Sequence, residues 1–151
     1  MSEDEEGVVP PQRCAAMRLT VYLVVEVVVA PELELPVAAS LRYRAEEPFV
    51  VHLDSHVEQP EPVTWALSRD LLLAGLEGPA GMGDLTVRPG HGAEDGDVLL
   101  SLRGEGEDAL LRMSAEELRS FLRLTECVVP VGCEQEHVDL NRLIGRLLGE
   151  E

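Results

Sequence analysis

Apolar residues in this chain fall into short segments with a period of two, which is the spacing typical of β-strands. The most apolar segment covers residues 17–29. Its odd positions place a row of Leu and Val side chains on one face, while Tyr22, Val24 and Val28 make the opposite face largely apolar too. A strand that is apolar on both faces needs cover on both sides. A helix and a sheet of the same chain could supply that cover, and so could a subunit interface.

Three further strands and a short helix are predicted in the rest of the first half. Turn residues, among them Pro48, Pro60 and Pro62, separate runs that are rich in β-branched side chains. Ser68 can then cap a short helix by accepting a hydrogen bond from its first turn. The predicted strands cover residues 37–44, 49–57 and 63–67, and the predicted helix covers residues 69–76.

The second half repeats the order of strands followed by a helix, without a repeat in its sequence. Ser114 and Glu117 form a capping box at the start of an amphipathic helix, and Pro130 and Gly132 end that helix. The predicted strands of this half cover residues 84–88, 98–103 and 108–113.

A last helix is predicted to start at Asp139, where Val138 and Leu143 are spaced as a hydrophobic staple across the cap. Its apolar stripe consists of Leu140, Leu143, Ile144, Leu147 and Leu148. The complete order of elements is typical of an α+β fold with mainly antiparallel, strand-rich sheets and about three helices.

The length of 151 residues fits one compact domain. Residues 1–16 contain an acidic run and are interpreted as a flexible solvated tail, and residues 17–151 as a single domain. The formal net charge of −17 comes from 12 basic residues, all of them Arg, against 29 acidic ones. We expect such a chain to bind neither nucleic acid nor anionic membranes, because both attractions require positive charge.

Cysteine usage and the N-terminus favour an unexported protein of the reduced cytosol. The three cysteines form no CxxC motif, and the first residues are acidic where a signal peptide needs positive charge. The longest apolar run, at residues 19–30, is too short to cross a bilayer as a helix and contains Glu26. The expectation is a cytoplasmic protein without direct membrane insertion.

Two groups of side chains have the composition of a metal site. His52, Asp54 and His56 alternate along one predicted strand, so they share a face that could hold a metal or could simply be solvated. The second group lacks a fourth ligand and an established zinc spacing, which favours buried or half-exposed thiols. It consists of Cys127, Cys133 and His137. The glycine-rich segment 78–83 follows a helix and precedes a strand, an order that favours a turn over a phosphate loop. We therefore predict no catalytic residue, no metal and no cofactor.

Two features are candidates for binding surfaces. Trp65, the only Trp in the chain, is either a core anchor or a binding hot spot. The apolar stripe of the last helix either docks on the chain's own sheet or binds in a groove of a partner. Arg69 and Asp70 can be contact residues, a structural ion pair or polar contacts at the start of a helix.

Short motifs occur in a fixed order between residues 17 and 149. They are Leu35-Pro36-Val37, Leu41-Arg42-Tyr43, Pro48, Trp65, Arg69-Asp70-Leu71-Leu72, Gly75-Leu76, Gly83-Asp84, Phe121-Leu122, Thr125, Val129-Pro130, Gly132, Glu134 and Asp139-Leu140. This series resembles the SsgA-like proteins of sporulating actinobacteria. Because it is spread over the whole domain, the series is much more specific than any single motif.

The resemblance implies a non-enzymatic morphogenetic protein that controls sporulation-specific cell division at the septum. One member of the family recruits and positions the tubulin-like ring protein FtsZ, so FtsZ or another SsgA-like protein is the expected partner. The resemblance also implies a fold similar to the whirly-type nucleic-acid binders and a bell-shaped homotrimer. Two alternatives remain, namely a single-stranded nucleic-acid binder, which the charge disfavours, and a metal-dependent enzyme built on His52, Asp54 and His56.

If the protein is an adaptor, repeated subunits would add avidity to weak single contacts. Replacing Arg69 or Gly132 is then expected to disturb septum placement while the oligomer still folds. The candidate residues for partner binding are Trp65, Arg69, Asp70, Gly132, Glu134, Leu143 and Leu147.

Overall fold

The computed structural model describes residues 18–104 and 107–147, which form eight strands and three α-helices. The first half contains β1 (Arg18–Ala30), β2 (Leu33–Arg44), β3 (Val50–Ser55), β4 (Val63–Ser68) and α1 (Arg69–Glu77). The second half contains β5 (Ala80–Met82), β6 (Leu85–Pro89), β7 (Asp97–Gly104), β8 (Glu107–Ser114), α2 (Ala115–Val128) and α3 (Glu134–Leu147). The predicted tail at residues 1–16 and the end of the apolar stripe at Leu148 lie outside the described residues.

All eight strands belong to one antiparallel sheet with the order β4-β3-β2-β1-β8-β7-β6-β5. Each half is a four-stranded meander that is followed by a helix. The two meanders are joined where Glu26 and Val27 of β1 pair with Arg112 and Leu111 of β8. The prediction of an α+β fold with mainly antiparallel strands and three helices is confirmed, but the predicted separate sheets are one continuous eight-stranded sheet, because β1 and β8 pair.

The sheet curls, so that its two ends come close together. Trp65 of β4 lines the same cavity as Leu85 of β6 and Leu102 of β7, although these strands lie far apart in the sheet order. One hydrophobic core fills the inside of the curl, and both meanders and the helices α1 and α2 contribute to it. Representative core residues are Val25, Leu41, Leu53, Leu72, Val87, Leu100, Leu111 and Phe121.

The caps of the first two helices are those the sequence predicts. The side chain of Ser68 accepts a hydrogen bond from the backbone N–H of Leu71 at 3.1 Å, and Ser114 accepts one from Glu117 at 3.1 Å. Each bond satisfies an N–H group that has no partner within the helix. The chain therefore turns from strand to helix at both serines.

Four predictions of element bounds or type are wrong. Strand β2, predicted over residues 37–44, begins at Leu33, where it pairs with the end of β1. The last helix begins at Glu134 instead of Asp139, because Gly132 takes a φ of 97° and turns the chain directly after Pro130. The segment 78–83 is not only a turn, since residues 80–82 form β5 and pair with β6 around Gly83, whose φ is 61°. The strand predicted at 49–57 ends at Ser55, because His56 adopts a φ of 59° in the left-handed region.

Helix α1 packs on β6 at a position that excludes any side chain. Gly75 is buried, and a Cβ atom there would overlap the side chain of Val87, which is itself fully buried and β-branched. The close approach of helix and strand therefore requires glycine at position 75.

We predict that Gly75→Ala lowers the free energy of unfolding by about 1–3 kcal/mol, because the new methyl group overpacks the contact with Val87. Urea unfolding followed by circular dichroism measures the change. Gly78→Ala is the matched control, because a Cβ at Gly78 meets no atom within 4 Å and its φ of −178° suits any residue. Equal stability of the two variants would contradict the prediction.

Candidate functional site

Arg69 lies at the start of α1 and is completely buried. One terminal nitrogen, Nη1, donates to the carbonyl of Val129 at 2.8 Å and to Thr125 Oγ1 at 3.2 Å. The other, Nη2, donates to Oε2 of Glu134 at 2.7 Å. The guanidinium therefore connects the start of α1 to the end of α2 and the start of α3.

Glu134 uses both of its carboxylate oxygens at this junction. While Oε2 accepts from Arg69, Oε1 accepts from the backbone N–H of Gly132 at 2.9 Å. Burial by itself raises the pKa of Glu134, but hydrogen bonds from Arg69 and from backbone N–H groups outweigh it, so the pKa lies below its usual value. The ionised carboxylate thus fixes the turn that precedes α3.

The ring of Tyr43 completes the junction. The guanidinium carbon of Arg69 lies 5.1 Å from the ring centroid, which is within the range of a cation–π contact. The Tyr43 hydroxyl donates to the carbonyl of Pro48 at 2.8 Å. Burial raises the pKa of Tyr43 to about 12, while Arg69 lowers it and Glu134 raises it. The phenol therefore stays neutral near pH 7 and supplies packing instead of acid–base chemistry.

The structure brings four of the predicted partner-binding candidates together, but two of them lie inside the fold. Arg69 and Glu134 are buried, while Gly132 and Asp70 are exposed beside them. A surface formed by these candidates can present only Gly132 and Asp70 to a partner. Because Arg69 is buried, replacing it is expected to destabilise the fold, so the expectation that its replacement leaves folding unaffected is wrong.

A second polar cluster surrounds Asp54 on β3. Its carboxylate accepts hydrogen bonds from Arg42 Nε at 2.6 Å, Thr64 Oγ1 at 2.7 Å and Ser40 Oγ at 3.1 Å. The bond from Arg42 is the main cause of a pKa below the usual value, burial opposes it, and the bonds from Thr64 and Ser40 add to it. These contacts tie together β2, β3 and β4.

The predicted solvated face with His52, Asp54 and His56 is wrong. Asp54 is only 8% exposed and is saturated by its neighbours, and His56 lies beyond the end of β3. Phe49 alternates with these residues in the strand predicted over residues 49–57, which predicts that it is buried on the opposite face, but it is exposed. Within residues 18–104 and 107–147, no group of three His, Cys, Asp or Glu side chains is arranged to hold a metal ion.

The cysteine group predicted near the last helix is only partly brought together. Cys133 and His137 line a shallow cavity with Pro130 and Glu136. Cys127 is exposed on α2, and Cys133 is half-buried. The interpretation of Cys133 as a half-exposed thiol therefore agrees with the structure.

Trp65 is half-buried and pairs with Leu53 across β3 and β4. It lines a cleft of about 330 Å³ on one side and a small cavity of about 90 Å³ on the other. Trp65 packs against the core while part of its ring remains accessible. The two alternatives for this residue, core anchor and contact residue, are therefore compatible.

The apolar stripe of α3 is not covered by the rest of the domain where its side chains are described. Leu143 is 47% exposed and Leu147 is 76% exposed. The helix is held at its first residue by Arg69 and presents these leucines to solvent. Of the two alternatives for the stripe, docking on the chain's own sheet does not describe Leu143 and Leu147, the two members of the stripe whose side chains are described.

The second apolar face of β1 is also uncovered. Tyr22 is 74% exposed and Val24 is 57% exposed. Beside them, a groove of about 200 Å³ runs between β1 and α2, and we call it the β1–α2 groove. It is lined by Val21, Tyr22, Leu23, Leu41, Glu116, Glu117, Ser120, Phe121 and Leu124. The sequence pattern predicts that both faces of β1 are apolar and need cover. Nothing in that pattern indicates that α2 forms the second wall of the β1–α2 groove.

Two solved structures share this fold. One, concerned with SsgB mutations that correlate to longitudinal cell division during sporulation of Streptomyces coelicolor, has a TM-score of 0.75 and 38% identity, and the match covers 82% of this chain and 97% of that one. The other, an SsgA-like sporulation-specific cell division protein from Thermobifida fusca, has a TM-score of 0.79 and 26% identity, and the match covers 87% and 96% of the two chains. The curled sheet with three helices is therefore the fold of SsgA-like cell-division proteins.

The sequences agree with the structures. The family model "Streptomyces sporulation and cell division protein, SsgA" matches residues 37–134. The sporulation-specific cell division protein SsgB of Streptomyces coelicolor is 41% identical over 123 residues, which are 82% of this chain and 90% of that protein. SsgB of Salinispora tropica is 42% identical over 123 residues, with 80% and 86% covered. This chain belongs to the SsgA-like family of sporulation and cell-division proteins. Among the helices described above, none has the length and apolar content needed to cross a membrane.

We predict that Arg69→Ala lowers the free energy of unfolding by about 3–5 kcal/mol, because it leaves the Glu134 carboxylate buried without its partner. The double variant Arg69→Met with Glu134→Leu should lose less than the two single changes together, because neither buried charge remains. Urea unfolding measures Arg69→Ala, the single variants Arg69→Met and Glu134→Leu, and the double variant. Arg123→Ala, on the exposed side of α2, is the control and should change stability by no more than about 0.5 kcal/mol. Additive losses in the double variant would contradict this account of the ion pair.

The lowered pKa of Glu134 predicts a loss of stability in acid. The ordinary value of this group is 4.5, and its pKa in the folded protein lies below that. The folded state therefore binds fewer protons, so the stabilisation is complete above about pH 4.5 and is lost as the pH falls through 4.5 towards the folded pKa. Unfolding free energies measured from pH 6 to pH 3 should fall less steeply for Glu134→Gln than for the wild type. Glu58→Gln, which removes an exposed carboxyl group, is the control, and equal slopes for wild type and Glu134→Gln would refute the assignment.

Proposed function

We propose that this protein is a non-enzymatic adaptor in sporulation-specific cell division that acts through protein–protein contacts. The relatives in two actinobacteria are named sporulation-specific cell division proteins, which supports a role in that process. The contact residues would come from the exposed apolar side chains, while the best-placed charged groups, Arg69, Glu134 and Asp54, are committed to bonds inside the fold.

The observation that carries this proposal is the exposed stripe on α3. A helix of 14 residues starts at a rigid, buried ion pair and presents Leu143 and Leu147 away from the domain. Exposed leucines at positions i and i+4 of an amphipathic helix are the contacts used in helix-in-groove recognition.

The adaptor would work as a bell-shaped homotrimer of whirly-like subunits in the cytoplasm at the septum. The uncovered faces of Tyr22 and Val24 on β1 support an interface between copies, since contiguous apolar surface of this kind is rarely left in water. A trimer would present three copies of each contact surface. Weak single contacts would then add up to useful avidity.

The expected partner is FtsZ or another SsgA-like protein. The partner surface would include the exposed candidates Asp70 and Gly132 beside the junction, the accessible part of Trp65, and the leucines of α3. Arg69 and Glu134 would act as positioning residues, because they fix the direction in which α3 leaves the domain.

A pull-down of purified FtsZ, and separately of a purified SsgA-like protein, tests the proposal. We expect the tag-free wild-type protein to capture at least one of them. The double variant Leu143→Asp with Leu147→Asp should weaken capture at least about tenfold, because a charge is placed in an apolar contact. Leu35→Asp, at 49% exposure against 47% for Leu143, is the matched control and should bind as the wild type does. A folded wild-type protein that captures neither partner would overturn the proposal.

A further inference from the structure

The β1–α2 groove is open because the second meander ends early. Strand β8 pairs with β1 at Glu26 and Val27, and it ends at Ser114, where α2 begins. Residues 21–23 of β1 therefore have β2 as their neighbour on one side and the groove on the other. The groove has an apolar floor formed by Val21 and Leu23 with Phe121 and Leu124.

The charged rim of this groove is negative. Glu116 and Glu117 lie in the first turn of α2, they are exposed, and both line the groove. An occupant that fills the apolar floor must bring its own positive charge to this rim, because a neutral or acidic neighbour would leave two carboxylates partly desolvated and unpaired.

The end of α3 carries the complementary arrangement. Leu143 and Leu147 are exposed on one face, and each follows an exposed arginine, Arg142 or Arg146, by one position. One position is about 100° around a helix, so the two arginines form a row beside the apolar stripe. The contact that Arg142 makes with Asp139, at 3.6 Å between largely exposed side chains, contributes little and leaves it available.

We propose that α3 of one copy docks in the β1–α2 groove of a second copy, with Leu143 and Leu147 on the apolar floor and Arg142 and Arg146 opposite Glu116 and Glu117. This contact rests on the self-association that forms part of the proposed function, and it assigns the surfaces that associate. Leu143 and Leu147 are also the leucines proposed to bind the division protein, so a given copy of α3 makes one of the two contacts at a time. Within one copy both surfaces are exposed, each is apolar, and their charges are opposite in sign. A second copy supplies both halves, so the contact is head-to-tail and forms a ring when the rotation between copies closes.

Reciprocal charge reversal tests this contact. The groove variant is Glu116→Arg with Glu117→Arg, and the helix variant is Arg142→Glu with Arg146→Glu. Sedimentation velocity over a range of concentrations should show self-association weakened at least about tenfold in each, because like charges then face each other. The variant with all four changes should recover wild-type association, and it keeps the net charge of −17 because the four reversals cancel.

Controls separate this contact from unfolding and from general charge effects. Glu58→Arg with Glu61→Arg makes the same charge change as the groove variant in the exposed connection before β4, and it should associate as the wild type does. Leu147→Asp changes a side chain that is 76% exposed, so it should weaken association without altering the circular dichroism spectrum. A monomeric wild type, or a fourfold variant that stays as weak as the groove variant, would overturn the proposal.

These outcomes also separate the contact from the adaptor function. If the wild type is monomeric but captures FtsZ, the docking proposal fails and the adaptor function stands. If the charge swap restores association while neither division protein is captured, the contact stands and the adaptor function fails.

Discussion

The buried ion pair of Arg69 and Glu134 is the interaction on which the arrangement of the helices depends. A buried guanidinium is tolerated only when most of its donors have partners. Both terminal nitrogens of Arg69 donate to groups at the end of α2 and the start of α3, namely Thr125, Val129 and Glu134, while its Nε has no hydrogen-bond partner. Removing one residue of the pair would leave the other buried and charged without a partner. The resulting loss of stability is far larger than the net stabilisation that the intact pair supplies. The pair therefore fixes the direction in which α3 leaves the domain.

The sheet imposes a second constraint. Its two meanders share one hydrophobic core, but they are joined only by the short pairing of β1 with β8. Arg112 of β8 reinforces that junction by pairing with Glu34 of β2 at 2.8 Å and with Asp97 of β7 at 3.3 Å. Since β8 stops where Ser114 caps α2, the first part of β1 keeps an open edge beside the helix. The end of β8 at Ser114 lets α2 pack on the core, and it also leaves the groove beside β1 open at the surface.

Much of this fold follows from local patterns in the sequence. Period-two segments predict seven of the eight strands, and the serine caps at 68 and 114 predict two helices, because these signals depend on neighbouring residues only. Strand β5 is missed because three residues are too few to show a period of two. The start of α3 is missed because Glu134 is held there by Arg69, which lies 65 positions away in the chain. Burial of Asp54 is missed for the same reason: its partners lie on other strands.

The net charge of −17 sets a condition for any contact between copies of this chain. Whole-molecule repulsion acts over about a Debye length, roughly 8 Å at physiological ionic strength, and salt weakens it. A contact between Arg142, Arg146 and a carboxylate rim is also electrostatic, but it acts at a few ångströms in a partly desolvated groove, where salt screens it less. Raising the ionic strength should therefore remove more repulsion than attraction. In the proposed contact, Arg142 and Arg146 lie beside the exposed Leu143 and Leu147, so burial of apolar surface would add a part that does not depend on charge pairing.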